Sequence, residues 1–329
     1  RAAGFASDFG SYSGTATATT QAFKAPTSLT ATRVGESTFD LTFNNNSTAE
    51  SGYHFQYRVQ GSGSWLDLGM VDQPFFNTIN SGVLNPNTVY EFQARAYLRN
   101  TNNAADPPVA YTAFSNTATG TAIFNAPTAL TATTPSEGRV NLNWTDNSSV
   151  EGNYEVQVRE KGTTQWQSYQ YYAANTTSVT NQLIAPGKTL EFRVRATRGA
   201  QAEITSSFSN TAEITTAFNA PTNLVATAST SDPYHISFTW TDNSGVETEY
   251  ELQYRKQGGS FATRKIVAAN TGTAPNSMSL ADLPEFDPGS VYEFQIRANL
   301  KGSDGSLIAS SAYSPIATAT TKNGFSSKP

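Results

Sequence analysis

The stretch VNLNWTDNSSVEGNYEVQVRE, residues 140–160, alternates apolar and polar side chains, breaks at Asp-Asn-Ser, and then alternates again. A period of two puts Val140, Leu142 and Trp144 on one face and Tyr154, Val156 and Val158 on one face. That is the pattern of two half-buried strands joined by a loop. The same pattern recurs on both sides. FDLTFNNNS (39–47) runs into YHFQYRV (53–59), and ISFTWTDNS (236–244) runs into YELQYRK (250–256). Each unit then carries a second strictly alternating run, VYEFQARA (89–96), LEFRVRA (190–196) or VYEFQIRA (291–298), and closes on FSNTAT (114–119), FSNTAE (208–213) or YSPIAT (313–318). Strands separated by turn signals, with no convincing helical period, predict an all-β sandwich.

The units are joined by a repeated phrase: AFKAPTSL (22–29), IFNAPTAL (123–130) and AFNAPTNL (217–224). Its prolines, Pro26, Pro127 and Pro221, stand 101 and 94 residues apart, so the repeating unit is a whole domain.

The 329 residues are 37% hydrophobic and 12% aromatic, enough for real cores. Charged residues make up only 14%, with 21 Lys and Arg against 26 Asp and Glu. This balance offers no basic stripe for phosphates, and nucleic acid is excluded as an expected partner. The absence of cysteine removes disulfides, Cys-ligated zinc and thiol catalysis together. No stretch approaches 18 uninterrupted apolar residues, so no membrane insertion is expected in this segment.

Taken together, these residues resemble fibronectin type III domains over essentially the whole chain. The resemblance rests on the second-strand tryptophans Trp144 and Trp240, the Tyr-x-Val/Leu-x-Tyr/Val strand, the Tyr-x-Phe-x-x-x-Ala pattern and the closing aromatic-Ser-Asn. It implies tandem seven-stranded immunoglobulin-like β-sandwiches in an extended array. The Trp-Thr-Asp-Asn-Ser form looks most like bacterial secreted or cell-surface members. Two departures stand out: Phe43 replaces the tryptophan in the first unit, and Leu190 replaces the corner tyrosine present as Tyr90 and Tyr292. The expected division is 23–122, 123–217 and 218–322 as three domains. Residues 1–22 are expected to supply the last strand of a preceding domain and 323–329 the start of a following one. An ordered strand at 1–20 would belong to a continuous longer protein or dock into a neighbouring subunit's sheet.

Between units only a few residues intervene: Phe23 to Pro26, Phe124 to Pro127, Phe218 to Pro221. Proline fixes its own φ and biases its predecessor toward extended backbone, so the joints are expected to be stiff. The phenylalanine either fills the edge of one core or wedges between neighbours.

Candidate chemistry is sparse. His54 and His235 lie in different units with no paired ligand, and His54 is read as a solvated strand residue. The family pairing would set Glu251 near Arg297 and Arg255 near Glu293 as cross-strand ion pairs. The loops Asn45-Asn46-Ser47 to Glu50, Asp146-Asn147-Ser148 to Glu151 and Asp242-Asn243-Ser244 to Glu247 present oxygen atoms that would suit calcium, but the spacing is not that of an EF-hand and Asn45 removes a charge, which favours Asx turns. In WQSYQYYAA (166–174), alternation puts Tyr169 and Tyr171 on one face and Trp166 and Tyr172 nearer the other. Exposed, such aromatics would contact a glycan or a neighbouring chain, and half-buried sheet packing is the other reading. Asn-x-Ser/Thr occurs at Asn45, Asn46, Asn143, Asn147 and Asn175.

No catalytic constellation and no cofactor site emerges. The expected function is a non-enzymatic extracellular rod or fibre at a cell surface, with an adhesive role open. Its expected partners are neighbouring fibronectin type III domains, other copies in a fibre, and a glycan or other surface ligand. The alternative is a non-catalytic spacer or glycan-binding region of a secreted polysaccharide-degrading enzyme.

Overall fold

The computed structural model describes residues 14, 22–72, 78–100, 103–199, 203–232, 235–269, 276–280 and 286–323. The segments expected to belong to preceding and following domains, 1–22 and 323–329, lie outside these apart from Gly14, Ala22 and Asn323. Compact packing divides the chain into Arg1–Phe124 and Asn125–Pro329.

The first unit holds β1 (Thr27–Arg33), β2 (Phe39–Asn44), β3 (Gly52–Val59), β4 (Leu66–Asp72), β5 (Thr78–Asn80), β6 (Val89–Leu98), β7 (Ala110–Tyr111) and β8 (Ala118–Thr121). One sheet has the order β1-β2-β5 and the other β4-β3-β6-β7, with β8 also on β6. The second unit repeats this order. It contains β9 (Thr128–Thr133), β10 (Arg139–Thr145), β11 (Asn153–Glu160), β12 (Gln167–Ala173), β13 (Ser178–Leu183), β14 (Thr189–Arg198), β15 (Ile204–Thr205) and β16 (Ala212–Thr215), in sheets β13-β10-β9 and β12-β11-β14-β15/β16. Joined to it are β17 (Thr222–Ala228), β18 (Ile236–Thr241), β19 (Glu249–Lys256), β20 (Ala262–Ala268), β21 (Asn276–Leu280), β22 (Val291–Lys301), β23 (Leu307–Ser310) and β24 (Ala317–Thr320), which form a third sandwich in the same order. All pairings are antiparallel. The chain is all-β, built of tandem immunoglobulin-like sandwiches.

Alternation delivers the cores. Along β14, Leu190, Phe192, Val194 and Ala196 are buried while Glu191, Arg193 and Arg195 face out. The inward row meets Val140, Leu142 and Trp144 from the opposite sheet, all buried. Phe43 fills the tryptophan's place in the first sandwich, with its ring 4.4 Å from Tyr53 and 5.7 Å from Phe55. Trp144 and Trp240 pack in the same way on Tyr154 and Tyr250, at 5.6 and 5.2 Å.

The seventh strand is split in two in every sandwich, because hydroxyls interrupt its backbone ladder. Ser115, Ser209 and Ser314 accept the amides of Ala94, Val194 and Ile296, while Thr112, Ser206 and Ser311 accept those of Ala96, Ala196 and Ala298. The buried N–H groups stay satisfied although strand geometry is lost. Asn116 and Asn210 then clamp both the amide and the carbonyl of Leu29 and Leu130 in the opposite sheet. Tyr90 closes a tyrosine corner by accepting the Asn85 amide at 3.0 Å, and Tyr292 accepts that of Asp287 at 3.0 Å. Leu190 takes the matching position as a buried apolar residue.

Candidate functional site

The repeated phrase and the repeated loop are two halves of one device. In each sandwich the loop asparagine reaches back to the phrase. Asn46 Nδ2 donates to the Ala25 carbonyl at 3.0 Å and to Thr27 Oγ1 at 2.9 Å. Asn147 makes the same bonds to Ala126 and Thr128 at 2.8 and 3.0 Å, as does Asn243 to Ala220 and Thr222. The loop is itself braced by Asx turns: Asn45, Asp146 and Asp242 accept the amides of Ser47, Ser148 and Ser244 at 2.8–3.0 Å. The loop carboxylates are drawn inward beside the core tyrosines. Burial pushes the Glu247 carboxyl above the ordinary carboxylate range, with the Asp242 charge adding to the rise. Among the described residues no three His, Cys, Asp or Glu side chains gather in a metal-holding group.

Pro26, Pro127 and Pro221 are all buried. Phe23 packs on the core of the first sandwich, Phe124 is 6% exposed, and Phe218 packs on the core of the third. Within residues 125–329 the joint between the second and third sandwiches is also on view. A methyl group placed on Gly187 of the second would lie 3.3 Å from Phe218 Cβ, so Phe218 both fills the edge of a core and abuts its neighbour. On the other flank, Glu137 accepts the linker amide of Asn219 at 2.6 Å and the amide of Gly245, in the loop after β18, at 3.2 Å. Sequence reading passed over Glu137. Its signal was the acid that recurs as Glu36 and Glu137 in the turn after the first strand.

The outward face of the larger sheet is a ladder of charges and rings. The expected register holds: Glu251 lies opposite Arg297 and Arg255 opposite Glu293, with an Arg297–Glu251 contact of 2.6 Å. The same rungs pair Glu155 with Arg195 at 2.7 Å and bring Arg159 onto Glu191. Burial alone would raise Glu251, but hydrogen bonds from Arg297, Thr263, Gln253 and Asn299 overcome it and hold the carboxyl at about 2. Glu155 is lowered in the same sense: burial opposes, and Gln157 and Arg195 prevail. Rings roof the ladder. Trp65, Trp166 and Phe261 lie under Arg58, Arg159 and Arg255 at 4.3–4.4 Å, and Phe114, Phe208 and Tyr313 lie under Arg95, Arg195 and Arg297 at 4.6–4.7 Å.

This roof corrects the reading of His54. The side chain is only 6% exposed rather than solvated, because it takes the rung that Glu155 and Glu251 hold elsewhere. Arg95 donates to its Nδ1 at 3.3 Å, leaving Nε2 to donate to Asp67 at 3.0 Å.

The tyrosine pair is corrected as well. A bulge between the Val156–Gln170 and Gln157–Ser168 pairs shifts the phase of β12. Tyr169 therefore turns inward, edge-on to Phe192 at 6.2 Å, with its hydroxyl donating to the Leu183 carbonyl. Tyr172 packs on Trp144, also inward, and Tyr171 alone of the three stays 49% exposed, opposite Glu155. Trp166 is half-buried between Arg159 and Arg193.

The paired sheets, the tyrosine corner and the split last strand all occur between residues 219 and 323. Residues 219–312 match the family model of the fibronectin type III domain. The third sandwich is thus a fibronectin type III domain, and the other two repeat its strand order. Solved structures similar to the chain include the chicken CNTN1 FN1–FN3 domains, at 16% identity and a TM-score of 0.28, covering 92% of this chain and 99% of that one. A two-domain fibronectin type III segment from chicken tenascin aligns at 16% identity and a TM-score of 0.33, covering 60% of this chain and all of that one. No curated protein matches the sequence.

Proposed function

We propose that the chain is a length of a non-enzymatic extracellular structural protein, a rod or fibre of fibronectin type III domains at a cell surface. Fibronectin type III domains are typical of extracellular multidomain proteins, and the Trp-Thr-Asp-Asn-Ser form favours a bacterial source. The observation that carries the reading is the clasp. At all three junctions the loop asparagine bonds the phrase on both sides of its proline, converting a short linker into part of the following sandwich. Residues 23–122, 123–217 and 218–322 are the proposed domains, with Phe23 and Pro26, Phe124 and Pro127, and Phe218 and Pro221 as the coupling residues.

Strands of about seven residues at about 3.3 Å each, with their turns, give sandwiches some 30–40 Å long, so three in a row would reach on the order of 100 Å. Small-angle scattering on the whole chain tests this. The expected result is an elongated particle whose profile changes when Gly-Ser is inserted before Pro127. A compact particle, or a profile indifferent to the insertion, would sink the stiff rod.

A further inference from the structure

One rung of the outward ladder differs in the second sandwich. In the first and third, the residues facing Gln56 and Gln253 are Gln93 and Gln295, and each donates its amide to the facing glutamine at 2.8–2.9 Å. In the second, Arg193 stands at that rung opposite Gln157. It donates through Nε and Nη2 to the single acceptor Gln157 Oε1, at 3.0 and 2.7 Å. A guanidinium has five N–H donors, so three remain, including the whole Nη1–Nη2 edge that matches a carboxylate. Gln295 shows that the ladder needs only an amide here.

The neighbouring cations are already matched. Arg159 is paired with Glu191, Arg195 with Glu155 and Lys161 with Glu213. Among the described residues no carboxylate forms an ion pair with Arg193, and the rung carries one positive charge in excess. Trp166 and Phe208 lie against the guanidinium at 4.2 and 3.7 Å and hold its plane. Burial and the flanking charges of Arg195 and Arg159 together depress its basicity, as expected of a cation lacking its counterion.

The surroundings describe the counterion's carrier. Tyr171 offers an exposed ring on the adjacent rung, two strands across from β14, or about 10 Å away. Between them Ser168, opposite Gln157, adds an exposed hydroxyl on the same face. A flat ring beside a carboxylate-matching fork on one face is what a sugar acid presents partners for. We propose that the outward face of β12, β11 and β14 binds an acidic polysaccharide, with a uronic-acid carboxylate on Arg193 and a sugar ring on Tyr171.

Titration calorimetry of the whole chain with oligogalacturonate, at low and at physiological salt, tests the assignment. The expected result is binding that weakens with salt, is lost by about tenfold or more in Arg193→Gln, and falls by a smaller factor in Tyr171→Ala. Arg193→Gln installs the side chain that the sister sandwiches carry, so its melting temperature should match the parent and separate binding from folding. Absence of binding by the parent chain, or equal binding by Arg193→Gln, would overturn the site. Equal binding of a neutral galactose oligomer would overturn the role of the acid, and tighter binding of polyglutamate would reassign the surface to an acidic peptide.

Discussion

Glu137 and Asn219 meet across the joint between the second and third sandwiches, the carboxylate of one accepting the backbone amide of the other at 2.6 Å. The same carboxylate also accepts the Gly245 amide, so one side chain ties a turn of the second sandwich to both the linker and a loop of the third. Both bonds are exposed and worth little to the stability of either sandwich, but they restrict how one turns on the other. Glu137→Ala should therefore leave the melting temperature nearly unchanged while broadening the distances between spin labels placed in β11 and β19. An unchanged distance distribution would show that Phe218 and the short linker set the angle alone.

The clasp predicts a different balance. Asn147→Ala removes two hydrogen bonds, to Ala126 and Thr128, at an exposed site, and should cost about 1 kcal/mol in the second sandwich. Thr128→Ala removes one of the two and should cost less. Urea unfolding of the two single variants and the double variant would check this, since a clasp requires the pair to be non-additive. Strict additivity would mean that the two residues act separately.

Much of this was legible from period alone. The alternation in 140–160 marks which side chains enter the core, while the Glu251–Arg297 pairing follows from the antiparallel strand neighbours that the fibronectin type III resemblance implies. Tyr169 escaped because a bulge is one extra residue in one strand, invisible until its partner is in place. His54 escaped for a related reason. Outward phase was read as solvation, yet Tyr111 and Arg95 cover it, and both come from strands distant in sequence. The clasp lay in plain view as two separate repeats, but nothing local says that one asparagine spans the 21 residues to its phrase.

Glu251 gives a prediction in pH. Its carboxyl is held at about 2 in the folded chain, below its ordinary value near 4.5, so the fold favours the ionised form. Stability from this group is complete above pH 4.5 and is lost as pH falls toward 2. The shift corresponds to about 3 kcal/mol for a side chain buried as this one is. Glu251→Gln should lower the stability of the third sandwich at pH 7 and flatten its dependence on pH between 4.5 and 2. Denaturant titrations across that range would check it, and parallel curves for parent and variant would show that other carboxylates govern acid unfolding.

The last prediction concerns the missing corner. Tyr90 and Tyr292 each accept the amide five residues upstream, and the corresponding group in the second sandwich is the Ala185 amide. Leu190 is buried, and with Ala185 it lines a cavity of about 700 Å³, so a larger side chain has room. Leu190→Tyr should place its hydroxyl on that amide and gain about 1 kcal/mol, because the new polar atom arrives with a partner. Leu190→Phe separates the two contributions: it fills the same space without the bond. If thermal melts rank tyrosine above phenylalanine and leucine, the corner has been rebuilt. If phenylalanine equals tyrosine, the gain is packing, and the loop from 184 to 188 does not present its amide as the sister loops do.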